Sequence, residues 1–308
     1  MSEQAAAYLA GILRPLIGAV RAAAPRVIAT GNDGGNDGGE LDAEAVHDLR
    51  VAIRRLRTLL LPARRAFGKK KLRPIEDGLR EHARASSALR DEEALRETLA
   101  ALELDPGARA AVDAWLADRA LAERSERATV IRRLEGRSGQ KQKRTPSLEA
   151  SLARLERRLD RPKRKPREAL AVARRAISDA LADMQRLAGV DPTDVEGMHT
   201  LRIRFKRLRY TAEAFTPLLG EGAARVVALA TRMQKRLGNL HDVDDALAHT
   251  RRARKLDPAA RDALIQALGA ARTRLAARAE AELARELPAI ITACGAASRA
   301  PLGGQPEP

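Results

Sequence analysis

The stretch Asp42–Arg57, DAEAVHDLRVAIRRLR, returns 152 residues later as Asp194–Arg209, DVEGMHTLRIRFKRLR. Asp42/Asp194, Glu44/Glu196, His47/His199, Leu49/Leu201, Arg50/Arg202, Arg54/Lys206, Arg55/Arg207, Leu56/Leu208 and Arg57/Arg209 pair without a gap, which is the mark of a duplicated unit. On a helix, steps of three and four residues return to one face. His47, Arg50, Arg54 and Arg57 therefore form a stripe roughly 15 Å long at 1.5 Å rise per residue. Leu49, Ile53, Leu56 and Leu60 form an apolar stripe on the far side. The copy repeats both, with His199, Arg202, Lys206 and Arg209 against Leu201, Phe205 and Leu208. Each helix is expected to bury one face and offer a row of cations on the other. Like charges one turn apart repel by a few tenths of a kcal/mol, so folding gains nothing from the row. An anion is expected to face it. On one helix such a row is ordinarily a solvated face or a set of salt bridges. Solubility, however, does not require the same residue types at the same offsets twice.

The chain has 308 residues, enough for two ordinary domains or one elongated double unit. Charged residues make up 32% and apolar ones 44%, rich in Ala and Leu, as in helical proteins. Fifty-seven Lys and Arg against forty-one Asp and Glu leave +16 at pH 7, which predicts polyanionic partners and salt-sensitive binding. Cys294 is the single cysteine and cannot form an internal disulfide, so a reducing, cytoplasmic compartment is expected. No unbroken apolar run approaches 18 residues, so no membrane span is expected. Glu3 and Arg14 sit badly for a signal peptide.

Outward from the motif, residues 4 to about 29 read as a helix carrying Leu9, Leu13, Leu16, Ile17 and Val20. The segment TGNDGGNDGG (30–39) reads as a flexible loop. Asp42 and Asp194 are natural N-caps. The first motif helix is expected to end near Phe67–Gly68, and the second at Pro217 and Gly220. A second repeat sets ALRDE (88–92) against NLHDV (239–243) at an offset of 151, shared by Arg84/Lys235. Its Asp91 and Asp242 are expected to cap the next helix or pair with a cation of the row. A long helix 106–134 carries Trp115 on its core side. Residues 136–166 read as a basic linker, GRSGQKQKRTP and RPKRKP around a helix-capable LEASLARLERRL, whose Pro and charge density argue against core packing. Helices are expected over 167–189, 194–216, 221–237, 240–255 and 257–293. No strand-period segment appears. The expected fold is all-α, two pseudo-twofold-related four-helix bundles from an internal duplication. The expected division is a first repeat over 1–135, the linker over 136–166, a second repeat over 167–300 and a disordered tail over 301–308.

The sequence has no P-loop, no zinc spacing and no HExxH. His47-Asp48 and His241-Asp242 resemble metal-holding pairs of phosphohydrolases. Asp48 becomes Thr200 in the second copy and His241 is Arg90 in the first, so neither pair is duplicated, and a metal would sit beside a row of cations. A binding protein without cofactor or metal is expected rather than an enzyme. The duplicated histidines suit either a satisfied, partly buried hydrogen-bonding role or donation to an anion held by the next arginine.

The duplicated H-x-L-R-[VI]-x-x-[RK]-R-L-R, the Arg209-Tyr210 that follows, and LGNLHD (237–242) resemble the CHAD family, the conserved-histidine α-helical domain, over about residues 5–293. The resemblance implies paired helical bundles with a basic groove or pore, binding of inorganic polyphosphate, and association with polyphosphate granules. Many relatives carry an N-terminal triphosphate-processing tunnel domain, and this chain shows none, so it looks like a stand-alone binder. The binding cations implied are His47, Arg50, Arg54, Arg57, His199, Arg202, Lys206 and Arg209, flanked by Arg55, Arg204 and Arg207. Arg204 lies opposite Ala52 and lacks a counterpart. Independently, single-strand binders stack bases on aromatics, of which the chain has 2%. Duplex readers place a recognition helix in a groove, whereas two duplicated rows suggest one shared channel. A thin phosphate chain needs only regularly spaced cations, and Arg contacts it bidentately. Sequence-independent nucleic-acid binding stands as the alternative, a metal-dependent phosphohydrolase as a further one, and adhesion to a granule or partner through the charges as another class.

Overall fold

The amphipathic periods of the chain become helices throughout the computed structural model, which describes residues 3–32, 43–136, 146–163 and 167–299. Asp42, residues 33–39 of the glycine-rich loop, 137–145 and 164–166 of the basic segment and the tail 301–308 lie outside the described residues. In order, the helices are α1 (Ala5–Asn32), α2 (Ala43–Phe67), α3 (Lys69–Ala85), α4 (Ser87–Ala100), α5 (Pro106–Leu134), α6 (Leu148–Leu159), α7 (Ala169–Gln185), α8 (Val195–Arg252) and α9 (Pro258–Arg299). The fold is all-helical. Among the described residues the one extended pairing is an isolated antiparallel bridge between Gln4 and Glu168.

The chain divides into two compact units that do not follow the expected chain order. One, the α2 unit, comprises Leu9–Arg164 and His249–Ala267; the other, the α8 unit, comprises Met1–Tyr8, Lys165–Ala248 and Leu268–Pro308. In the α2 unit the predicted apolar stripe is fully buried, at Leu49, Ile53, Leu56 and Leu60. Here α2 packs on α3, and α3 in turn packs on α5 and α6. Glu76 of α3, itself buried, takes both nitrogens of a bidentate pair with Arg64 of α2. In the α8 unit Leu201, Phe205 and Leu208 are likewise buried.

The segment 136–166 departs most from expectation. Leu148, Leu152, Leu155 and Leu159 form a buried stripe on α6, at the spacing that carries any core helix. The prolines and cations that suggested a solvated linker flank this stripe rather than interrupt it. Arg158 Nε donates to the carbonyl of Phe67 at 2.7 Å, and the Lys163 amide donates to that of Ala66 at 2.9 Å. Both carbonyls lie in the last turn of α2, where no intrahelical donor remains. Arg14 and Arg21 of α1 pair with Asp160, Glu149 and Glu156.

The membrane expectation needs one amendment. Helix α1 is long and apolar enough over Ala5–Ala29 to cross a membrane by length and composition. Its apolar residues nevertheless form a core stripe, with Leu9, Leu13, Ile17, Val20 and Val27 fully buried. Its arginines face carboxylates, as in an amphipathic core helix.

Both motif helices end on a glycine with positive φ at the repeat's own offset, Gly68 at 93° and Gly220 at 64°. Only glycine adopts that backbone without steric cost. Helix α8 therefore runs through Pro217 and breaks at Gly220. Beyond the break it continues unbroken to Arg252, so the expected boundary near 238–240 is absent. The corresponding boundary in the α2 unit exists, at Ser86 between α3 and α4. Asp194 is the predicted N-cap, accepting from the Gly197 amide at 2.9 Å.

Candidate functional site: two cationic rows

In the α2 row the members diverge in role. Arg50 is held in the structure. Its Nη1 donates to the Ala83 carbonyl at 3.0 Å and to Ser87 Oγ at 3.2 Å, satisfying the C-terminal end of α3, where a cation also suits the helix dipole. Burial, then the neighbouring Arg54, holds its pKa below the ordinary guanidinium value, against the pull of Asp91. Arg54 and Arg57 have no carboxylate within ion-pairing distance among the described residues. Burial pushes the Arg57 pKa down, and the fields of Arg80, Arg54 and Arg84 push it further. Arg80 and Arg84 belong to α3, so the structure widens the row onto a second helix. Each has a carboxylate one turn away, Asp77 at 3.0 Å and Glu81 at 3.1 Å, contacts of little strength at exposed sites. His47 is exposed at the head of the row, and Arg55 is half-buried.

The α8 row is more compensated. Arg202 approaches Asp242 at 4.0 Å. Arg209 pairs with Glu213 at 2.8 Å, reaches Gln234 at 3.4 Å and lies over the Tyr210 ring. Arg207, predicted as a flank of the site, is instead ion-paired to Asp183 of α7. Lys206 is buried, while Arg204 is partly exposed. His199 lies against His241, Nδ1 to Nδ1 at 3.1 Å.

Asp91 and Asp242 do not cap helices. Both lie inside one, Asp91 in α4 and Asp242 in α8, and each faces the arginine that heads the row of its own unit, Arg50 or Arg202. The pairing alternative is realised at Asp242, 4.0 Å from Arg202, whereas Asp91 lies in the field of Arg50 and burial raises its pKa. Sequence reasoning missed Arg80 and the Asp245 partner of His241. A trace of the first was available, since Arg80 precedes the repeated Arg84 by one turn. Among the described residues no group of three His, Cys, Asp or Glu side chains is arranged to hold a metal ion. Asp48 pairs with Arg26 at 2.5 Å, and His241 Nε2 with Asp245 at 3.2 Å.

The CHAD domain family model matches residues 12–251. The chain belongs to the CHAD family. Solved structures share its fold. The crystal structure of the CHAD domain from the plant Ricinus communis is 20% identical, with a TM-score of 0.63 over 96% of this chain and 92% of that one. PptA from Streptomyces chartreusis is 19% identical, with a TM-score of 0.56 over 94% and 99%. A search of curated proteins gives no match. At such identities the likeness of a CHAD protein to its structural neighbours is one of fold.

Proposed function

We propose that this CHAD protein binds inorganic polyphosphate along its two cationic rows, as a binding protein rather than an enzyme, and that it associates with polyphosphate granules. The observation that carries the reading is Arg57. It is held, partly buried, among Arg54, Arg80 and Arg84, with no carboxylate in ion-pairing range among the described residues. Glu76 opposes this repulsion less than any one of the three arginines adds to it, and a polymeric anion would relieve it. The +16 charge and the family point the same way. The two units read as descendants of one duplicated helical bundle, each with its own row.

A polyphosphate chain is favoured over single-stranded nucleic acid by where the aromatics go. Phe67, Phe205, Phe215, Tyr210 and Trp115 are all buried, and Tyr8 stacks on Phe215 at 5.7 Å. The aromatic residues thus serve the core, and bases would lack a stacking platform.

The test is competition calorimetry. Long-chain polyphosphate is expected to bind at least about tenfold more tightly than DNA or RNA of equal charge, since the extra selectivity needs only about 1.4 kcal/mol. Equal affinities would reduce the protein to a generic polyanion binder. Arg54→Glu with Lys206→Glu is expected to abolish binding. Because Lys206 is buried, Arg54→Glu with Arg57→Gln gives a second variant confined to the α2 row. Binding that survives both would remove the rows from the site. Phosphate release from polyphosphate with Mg²⁺ or Mn²⁺, lost on His241→Ala, would instead establish an enzyme.

A further inference from the structure

His199 and His241 lie side by side in the α8 unit, with ring centroids 4.4 Å apart and their Nδ1 atoms at 3.1 Å. Two bare nitrogens, or two N–H groups, repel at that separation, so one proton lies between them. The third partner says whose proton it is. His241 Nε2 lies 3.2 Å from Asp245 Oδ2, and a carboxylate only accepts. Nε2 therefore carries the hydrogen, and neutral His241 presents a bare Nδ1. The shared proton belongs to His199 Nδ1. Neutral His199 then keeps an unprotonated Nε2, which is not hydrogen-bonded to any described residue. This nitrogen is the one place where the pair accepts a further proton without losing a hydrogen bond. A proton on His241 Nδ1 would set two N–H groups face to face.

The charges around the pair explain why it is neutral in the free protein. Arg202, Lys206 and Glu196 face it from the first half of α8, and Asp245 and Asp242 from the second. Burial, then Arg202 and Lys206, holds His199 below its ordinary value despite Glu196. Burial, Arg202, His199 and Lys206 push His241 to about 3. The Asp245 contact is already used by the Nε2–H of the neutral ring. An anion seated against Arg202 and Lys206 offsets the part of that resistance to protonation that the two cations supply.

We propose that His199 is a proton switch on the α8 row: a phosphate chain seated against Arg202 and Lys206 draws a proton from solvent onto His199 Nε2, which then donates to a phosphate oxygen. The inference rests on phosphate binding by this row. Only an N–H bond forms, and the proton returns to solvent on release. His241 is a positioning residue, accepting the Nδ1–H and so leaving Nε2 as the His199 nitrogen that takes the further proton. The α2 unit lacks the device. At the position aligned with His241 it has Arg90, a permanent cation engaged by Glu93 and Glu97, and its His47 is exposed.

The experiment is calorimetric titration of the full chain with inorganic polyphosphate of defined length at pH 7, in buffers of different ionisation enthalpy. An uptake approaching about one proton is expected, with affinity rising by up to about tenfold per unit fall in pH. The uptake should fall close to zero in His199→Gln and in His241→Arg, and persist in His47→Gln. Histidine-selective ¹⁵N NMR should show Nδ1–H on His199 and Nε2–H on His241 in the free protein, and a doubly protonated His199 once polyphosphate is added. Binding without uptake, uptake that survives His199→Gln, or the opposite tautomers would overturn the switch and leave polyphosphate binding standing. Absence of binding in every buffer would remove both.

Discussion

Arg80→Ala isolates the part of the proposed surface that α2 does not carry. Arg80 pairs with Asp77 three residues away on its own helix, with 44% of its side chain exposed. Such a contact contributes at most a few tenths of a kcal/mol, and of the cations that push Arg57 down Arg80 acts most strongly. Its loss should leave stability within about 0.5 kcal/mol of the parent. Binding should respond more. With Arg54, Arg57, Arg80 and Arg84 against a phosphate chain, four contacts at roughly 0.7 counterions each give a slope of log K against log salt near −3. The α2 row alone then loses about 50-fold in affinity between about 50 and 200 mM salt. Arg80→Ala should lower the slope by about 0.7, whatever the α8 row adds. It should weaken binding by about 1 kcal/mol, about fivefold, at low salt. Fluorescence polarisation with end-labelled polyphosphate across a salt series measures both, and urea unfolding measures the stability. Parallel salt plots for parent and variant would refute the assignment of α3 to the surface. A stability loss above about 1 kcal/mol would refute the claim that Arg80 is structurally dispensable.

Other consequences follow from packing and titration. Leu56→Ala removes a fully buried side chain between the two faces of α2 and should cost about 2–5 kcal/mol in urea unfolding. Arg64→Met strands the buried Glu76 carboxylate and should cost about 3 kcal/mol. Adding Glu76→Leu should recover most of that, and failure to do so would show that the pair is more than mutual compensation. Gly197→Ala would place a methyl 2.3 Å from Val190 Cγ2 and 2.4 Å from Asp194 Oδ2. It should cost about 1–3 kcal/mol, through overpacking and loss of the N-cap. His241, held near 3, and His82, His199 and His249, all held below the ordinary imidazole value chiefly by burial, take up protons less readily in the fold than in the unfolded chain. The free protein should therefore lose stability as pH falls below about 6.5, His241 alone contributing about 2 kcal/mol by about pH 5. A melting temperature that is flat or rising over that range would contradict this.

The rows, their apolar backing and the glycines that end them were legible in the sequence because each depends on local spacing. Leu49, Leu56, Leu201 and Leu208 are buried where the helical period puts them. The sequence repeat also pointed to Asp91 and Asp242, with capping and pairing both open, and packing decided against capping. The helix over 148–159 was legible but its burial was concealed by its flanks: composition averaged over 136–166 reports prolines and cations, while four leucines at helical spacing decide the packing. Whether Arg207 is a ligand or a strut was not legible. That depends on Asp183, which lies on another helix and carries no mark in the sequence.

By itself, then, the sequence determined the helices, their buried and charged faces and the family, since backbone periodicity and side-chain chemistry act over a few residues. Tertiary structure alone decided which cations are spent on the fold and which are left over. Arg50 is drawn to the end of α3, Arg64 to Glu76 and Arg207 to Asp183, while Arg80 joins Arg54 and Arg57. It also set two histidines 42 residues apart with a single proton between them. Electrostatic energy depends on distances through space, and those are fixed only when the helices pack.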